Sequence, residues 1–293
     1  MAVSDFVLYR LARNWPSPVA GRVAQLGAEA GTEKADIAYA QHQFDRKVRL
    51  GLGLAVTDLD VLEIGCGHGG ISCYLASVGA RRVVGIDVNA KNLGYATRLV
   101  EHHARRLGGA KLPLHFAECD ARKMCFADGS FDMVVADNLF EHVMDPMEML
   151  TECRRVLRPG GQLVIPLFSS IYSKFGLHLK HGLKLPWANV VFSEATILRA
   201  MQRLARENPR LYEIYPGLAN NPKRVRDVRR YGDLNSITYK SFKRMARESG
   251  FQLQSFRPVP TLFGIFVRRL PVLRRSIVMD VLSTGASAVL RKP

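Results

Sequence analysis

The hydrophobic pattern changes rhythm repeatedly along the chain, and the changes predict its elements. Val61, Leu62 and Ile64 form a short apolar run broken only by Glu63, which reads as a buried strand. A glycine cluster follows, Gly65, Gly67, Gly69 and Gly70, and then an apolar, helix-compatible run from Ile71 to Val78. The same alternation recurs downstream. Arg82 to Asp87 predicts a second strand, and Asn89 caps a helix running to about Leu107. Leu112 to Glu118 predicts a third strand, and Phe131 to Ala136 a fourth whose near-continuous apolar run suits a strand covered on both faces. Asp145-Pro146 opens a helix through Leu157, and Pro159-Gly160-Gly161 turns the chain into a fifth strand, Gln162 to Leu167. Such strand–helix repetition implies an α/β fold, a doubly wound, mostly parallel sheet with ligands at the carboxyl ends of its strands.

Both flanks depart from this rhythm. Before the first strand, Trp15-Pro16-Ser17-Pro18 separates a short amphipathic piece from a longer helical one at about Glu33 to Leu50. After the fifth, Phe168 to about Ser236 is rich in aromatic, proline and basic residues and reads as a largely helical insertion over the mouth of the site. Thr238 to Ser249 then predicts a helix, Phe251 to Phe256 a sixth strand and Ala286 to Leu290 a last one. Between those strands, Leu262 to Leu282 is apolar with paired arginines, a pattern of either a second packed insertion or a segment lying on a membrane surface.

The glycine turn is the chemical centre. Glycines permit positive φ and close approach of a ligand to the main chain, and the N–H groups opening the next helix are available donors. Gly65, Gly67 and Gly70 satisfy a dinucleotide-binding spacing, with Asp87 placed for a ribose. Glu63, two positions before the first glycine, argues for a different cofactor. A carboxylate there repels a pyrophosphate and favours a cation. S-adenosylmethionine (SAM) carries a sulfonium and an ammonium and no phosphate, so SAM is the better match than NAD.

At this point the chain resembles the class I SAM-dependent methyltransferases, in the subgroup acting on small molecules and lipids. The resemblance rests on VLEIGCGHGG, on VVGIDVN (Val83 to Asn89), on the stretch from Ala117 to Val143 and on RVLRPGGQLVI (Arg155 to Ile165). It implies a Rossmann-like, seven-stranded, mostly parallel sheet with the last strand antiparallel. The implied layout is an N-terminal helical extension (1–56), a SAM-binding core (57–167), an inserted substrate or lid region (168–236) and a completion of the sheet (237–293). By the same resemblance, Glu63, Gly65 and Gly67 shape the methionine end of the cofactor site. Asp87, with Val88 beside it, takes the ribose diol, Asp120 and the Ala121 backbone take the adenine amino group, and Asn138 lines the site under the sulfonium. The longer N-terminal helix would bring Gln41, His42, Phe44 and Lys47 near the cofactor or acceptor, or pack on the sheet edge.

Methyl transfer is an in-line displacement from a sulfonium that is already electrophilic, so proximity and orientation do most of the work. A base is needed only where the acceptor must lose a proton. His142, His178 and His181 are the candidate bases, each with a structural role as the alternative, and Trp187 and Glu194 are candidates for the acceptor pocket. No metal constellation stands out, which predicts metal independence. The product would be S-adenosylhomocysteine (SAH).

Composition narrows the partners. The chain has 293 residues, 47% hydrophobic and 23% charged, as expected of a folded globule. Its net charge of +16 favours polyanions: nucleic acid, anionic lipid headgroups or an acidic substrate. A small-molecule or lipid-linked acceptor is the leading expectation, with peripheral membrane contact allowed. An RNA methyltransferase is the runner-up among enzymes. Against it, Asp137-Asn138-Leu139-Phe140 stands where many nucleic-acid N-methyltransferases carry D/N-P-P-Y/F, and no RNA-binding module is recognisable. The glycine spacing also admits a NAD-dependent oxidoreductase, which Glu63 disfavours, and the intact cofactor residues would equally suit a SAM-binding protein without catalysis. Five cysteines, an odd count without a C-x-x-C pair, point to a reducing, cytoplasmic compartment. The first residues predict no secretory signal, and no apolar run reaches membrane-span length.

Overall fold

The computed structural model describes residues 3–14, 55–106, 112–174, 176–178, 182–214, 218, 234–261 and 278–293. In chain order the described elements are α1 (Val3–Asn14), β1 (Asp60–Ile64), α2 (Gly70–Ser77), β2 (Arg82–Asp87), α3 (Ala90–Arg106), β3 (Leu114–Glu118) and β4 (Phe131–Ala136). They continue with α4 (Pro146–Val156), β5 (Leu157–Phe168), α5 (Ala188–Val191), α6 (Glu194–Glu207) and α7 (Arg210–Ile214). The last are α8 (Tyr239–Glu248), β6 (Gln252–Pro260), α9 (Val278–Val281) and β7 (Ser283–Arg291).

The strands form one seven-stranded sheet in the order β3-β2-β1-β4-β5-β7-β6. β1 to β5 are parallel, and β7 is antiparallel to both β5 and β6. The doubly wound sheet with an antiparallel last strand is therefore present. β1 lies between β2 and β4 and every residue of it is buried; past Asp60 at its amino end it is apolar except for Glu63. The order reverses direction between β1 and β4, so a crevice opens at their carboxyl ends.

Local chemistry sets the boundaries. Asp145 accepts the Glu148 N–H and caps α4, whose first position is Pro146. Thr238 and Ser241 form a reciprocal capping box at α8. Asn89 accepts the Lys91 N–H ahead of α3. Two of the boundaries that differ from expectation have a clear physical cause. β5 begins at Leu157 rather than Gln162, because Pro159-Gly160-Gly161 forms an irregularity inside the strand, where its register against β4 shifts, and not a turn before it. β6 extends to Pro260, since β7 pairs with it along that length.

Two cores sit on either side of the sheet, and a third lies apart. The first packs Leu62, Ile64 and Val134 against α4 and the aromatic cluster of Phe140, Phe168 and Phe242. The second gathers Val61, Val83 and Val135 against Leu75 and Leu99. The third joins Leu8, Tyr9 and Ala12 of α1 to Ile197, Leu198 and Met201 of α6. In it, the Tyr9 hydroxyl donates to Glu207 and the Arg203 guanidinium stacks 3.8 Å over the Tyr9 ring. The first helix thus packs on the segment after β5. Among the described residues, α1 of the expected N-terminal extension and α6 of the expected insertion share one core. Gln41, His42, Phe44 and Lys47, and most of Leu262 to Leu282, lie outside the described residues. No described helix is long and apolar enough to cross a membrane.

Candidate active site

The site is built from four strand ends. After β1 the backbone reverses through Gly65 and Gly67 at φ +66° and +52°, left-handed angles that glycine adopts without penalty. A Cβ at Gly65 would collide with Leu139, whereas nothing lies within 4 Å of one at Gly67. Gly67 therefore faces open space, as a backbone that receives a ligand must. The loop is pinned from β2, where Asp87 Oδ2 accepts the Gly67 N–H at 2.9 Å and Oδ1 accepts the Asn89 N–H at 2.8 Å. Beside it Val88 is 67% exposed, an apolar face offered to solvent at the strand end. Cys66 is buried in this loop with its thiol pushed far up by burial and by Glu63, so it is no nucleophile.

Glu63 is placed differently from expectation. It is buried and takes the Ser72 hydroxyl of α2, so it acts from beneath the glycine turn instead of lining the mouth.

β3 supplies Asp120. Its carboxylate is gripped by Arg122, with Oδ2 2.6 Å from the guanidinium and Oδ1 accepting the Arg122 N–H at 2.8 Å, which holds it below the usual carboxylate range. The expected adenine contact would have to share this carboxylate with Arg122. Ala121 next to it is buried. β4 supplies Asn138, exposed, at φ +49°, donating its backbone N–H to Leu167 of β5 and its amide to Asp137.

A one-turn 3-10 helix, Phe140–His142, follows β4. Glu141 is 2% exposed, and its Oε1 accepts the Ser169 N–H just beyond β5. Burial, opposed by that hydrogen bond and reinforced by Asp137, pushes it up to about 7. His142 and His178 lie with ring centroids 5.1 Å apart, and His178 Nε2 is 3.8 Å from Glu141 Oε1. His178 reaches this point from the segment after β5, at φ +53°. The structure thus brings His142 and His178 together; His181 lies outside the described residues. Trp187 borders a cleft with Lys174, His178 and Leu183, its indole donating to the Val281 carbonyl. Glu194 stands exposed at the start of α6 as a first-turn acid.

Asn235 carried no sequence signal of its own. Its amide donates to the Phe140 and Val143 carbonyls at 2.7 and 2.6 Å, and its N–H to the Glu141 carbonyl at 2.8 Å. It straps the Glu141–His142 turn in place. Only the return of the chain to the sheet after the insertion puts it there.

Comparison with known proteins bears on this geometry. A methyltransferase-domain family model matches residues 62–165. Those residues form a class I SAM-dependent methyltransferase domain. The ubiquinone biosynthesis O-methyltransferase of Aromatoleum aromaticum is 38% identical over 120 residues, which is 41% of this chain and 47% of that protein. The arsenite methyltransferase of Aquipseudomonas alcaligenes is 31% identical over 212 residues, 66% of this chain and 58% of the relative. The chain spans about half the length of the first of these and somewhat more of the second. A structure of the complex between the Haloferax volcanii Trm112 methyltransferase activator and a methyltransferase matches with TM-score 0.50 and 16% identity, covering 98% of this chain and 97% of that one. It shares the fold. The methyltransferase domain brings with it SAM as the family's cosubstrate, and the open space over Gly67 and the acid at the end of β2 fit that molecule.

Proposed function

We propose that the protein transfers a methyl group from SAM to a small-molecule or lipid-linked acceptor, releasing SAH. The observation that supports this best is Asp87. One oxygen anchors the Gly67 N–H and the other sits at the helix start, so a single carboxylate shapes the loop and offers lone pairs at the strand end. In this reading Glu63 biases the turn toward the cationic methionine end, and Gly65 and Gly67 allow its close approach. Asp87 and Val88 take the ribose and adenine edge, Asp120 and Ala121 the adenine amino group, and Asn138 the region under the sulfonium. An acceptor entering past Trp187 would meet the methyl group near His142 and His178, and an oxygen acceptor would use one of them as base. His181 remains a candidate beside them by sequence alone.

The test is calorimetric titration with SAM, SAH and NAD on the wild type and Asp87→Asn. Asparagine preserves an acceptor for the Gly67 N–H while removing the charge. We expect SAM and SAH to bind, NAD not to, and the variant to lose about 10-fold or more in SAH affinity, roughly 1.4 kcal/mol or above. NAD binding in place of SAH would reverse the assignment.

A further inference from the structure

Glu141, His142 and His178 meet although they come from distant parts of the chain. The 3-10 turn after β4 carries the first two, and the segment after β5 returns the third. One ligand atom from each lies within 4.8 Å of the other two, with His178 Nε2 to Glu141 Oε1 at 3.8 Å. Donors bound to one zinc ion stand about 2.0–2.2 Å from it, hence roughly 3–4 Å from one another. Small side-chain rotations separate this trio from a coordinating arrangement.

A second observation is independent of that spacing. Glu141 is 2% exposed, and while Oε1 accepts the Ser169 N–H, Oε2 is buried with no hydrogen-bond partner. A carboxylate oxygen left so is costly. The strap from Asn235 and the Ser169 N–H hold the carboxylate in place against that cost. A bound cation would supply the missing partner.

We propose that Glu141, His142 and His178 bind a divalent first-row transition metal ion, Zn²⁺ being the type case. Two imidazoles and one carboxylate suit zinc, iron or cobalt; magnesium and calcium prefer sets of oxygens. Three protein ligands leave coordination positions open to water or an acceptor oxygen. Such a site departs from the metal independence expected from the sequence, where no short ligand motif announces a third ligand that arrives through the fold. The ion would tie the segment after β5 to the turn after β4. Resting on the methyltransferase reading, it would also favour an acceptor that presents a hydroxyl, whose proton a bound metal makes easier to remove, the two coordinated imidazoles then holding the ion in place of either acting as the base.

The experiment uses the full chain, free of any histidine tag and stripped with chelator. It is dialysed against Zn²⁺ and, separately, Co²⁺, whose visible absorption reports low-coordinate nitrogen and oxygen ligands. SAH binding is measured on the same samples. We expect a single ion per chain, the cobalt spectrum, and a rise in melting temperature with Zn²⁺. Glu141→Gln and His178→Ala should each weaken binding by at least about 100-fold, beyond the roughly 10–100-fold that outer-shell changes cost, while retaining SAH binding. A wild type that binds SAH but neither ion at stoichiometry overturns the site and leaves the methyltransferase reading standing. Metal binding unchanged in both variants also overturns it. Stoichiometric metal with no SAH binding supports the site and counts against the methyltransferase reading instead, and absence of both overturns both.

Discussion

Two pairs of acids, one at each end of the sheet, are treated in opposite ways. At the amino ends of β1 and β4, Asp60 and Asp132 meet arginines. Arg81 grips Asp60 at 2.7 and 3.1 Å, and Arg158 bridges Asp60 and Asp132 at 2.9 and 2.6 Å. Both carboxyls are held below the ordinary range, Asp60 chiefly by its hydrogen bond to Arg81, Asp132 by Arg158 against the cost of burial. At the carboxyl ends, Glu141 and Asp280 take backbone N–H groups from Ser169 and Tyr239, and burial pushes them up, to about 7 and about 6. One end is a finished electrostatic structure. The other holds two carboxylates raised by burial, at the same end as Asp87 and Asp120 of the proposed cofactor site.

The largest effect should come from breaking the finished end. Asp60→Ala removes a buried carboxylate that organises three arginines, and we expect a loss of about 2–3 kcal/mol at pH 7 by urea denaturation, discounted from a fully buried pair because the arginines are partly exposed. The pH dependence has a definite sign. Because the folded carboxyl is depressed, its stabilisation is fully present above the unfolded value near 4 and is lost as pH falls through the folded one. The gap between wild type and variant should persist at pH 5 and narrow below about pH 3. A constant gap across that range would mean the arginines contribute packing and little charge.

A smaller effect probes the crevice end from below. Ser72→Ala withdraws the hydroxyl that Glu63 accepts in the interior. The expected cost is about 1–2 kcal/mol, since a buried acid loses a donor. SAM affinity should change with it, because Glu63 underlies the glycine turn. Stability lost with cofactor affinity unchanged would confine Glu63 to a structural role.

This contrast also explains what the sequence made legible. The strands, the glycine turn, Asp87 and the capped helices are local features, each decided by residues within a few positions of one another, such as Asp145 with Glu148 or Thr238 with Ser241. Glu63 is readable as an acid in the right strand, but its burial under Ser72 depends on how α2 packs. Asp132 lies within the predicted fourth strand, but its part in the arginine network, through Arg158, joins distant positions. The Asn235 strap and the meeting of His178 with Glu141 follow from the path of the chain after β5, which no periodicity encodes. Nor does the pattern show that α1 packs on α6: the amphipathic face of α1 is visible, its partner is not.

The smallest effect isolates the raised acids without touching the crevice itself. Asp280 is 3% exposed, accepts the Tyr239 N–H at 3.1 Å with its Oδ1, and has Lys243 as its cationic neighbour. Burial dominates and raises it to about 6, so ionisation opposes folding. For a carboxyl whose folded value lies above its unfolded one near 4, stability through this group grows as pH falls from about 7 to about 4. Asp280→Asn retains an oxygen for the Tyr239 N–H and removes the charge. The variant should therefore match or exceed the wild type at pH 8, by about 1 kcal/mol or less, and lose that advantage near pH 5. Thermal melts at the two pH values read the crossover directly. A variant less stable at both would show that Lys243 compensates the ionised form, and the contrast between the two ends of the sheet would then rest on Glu141 alone.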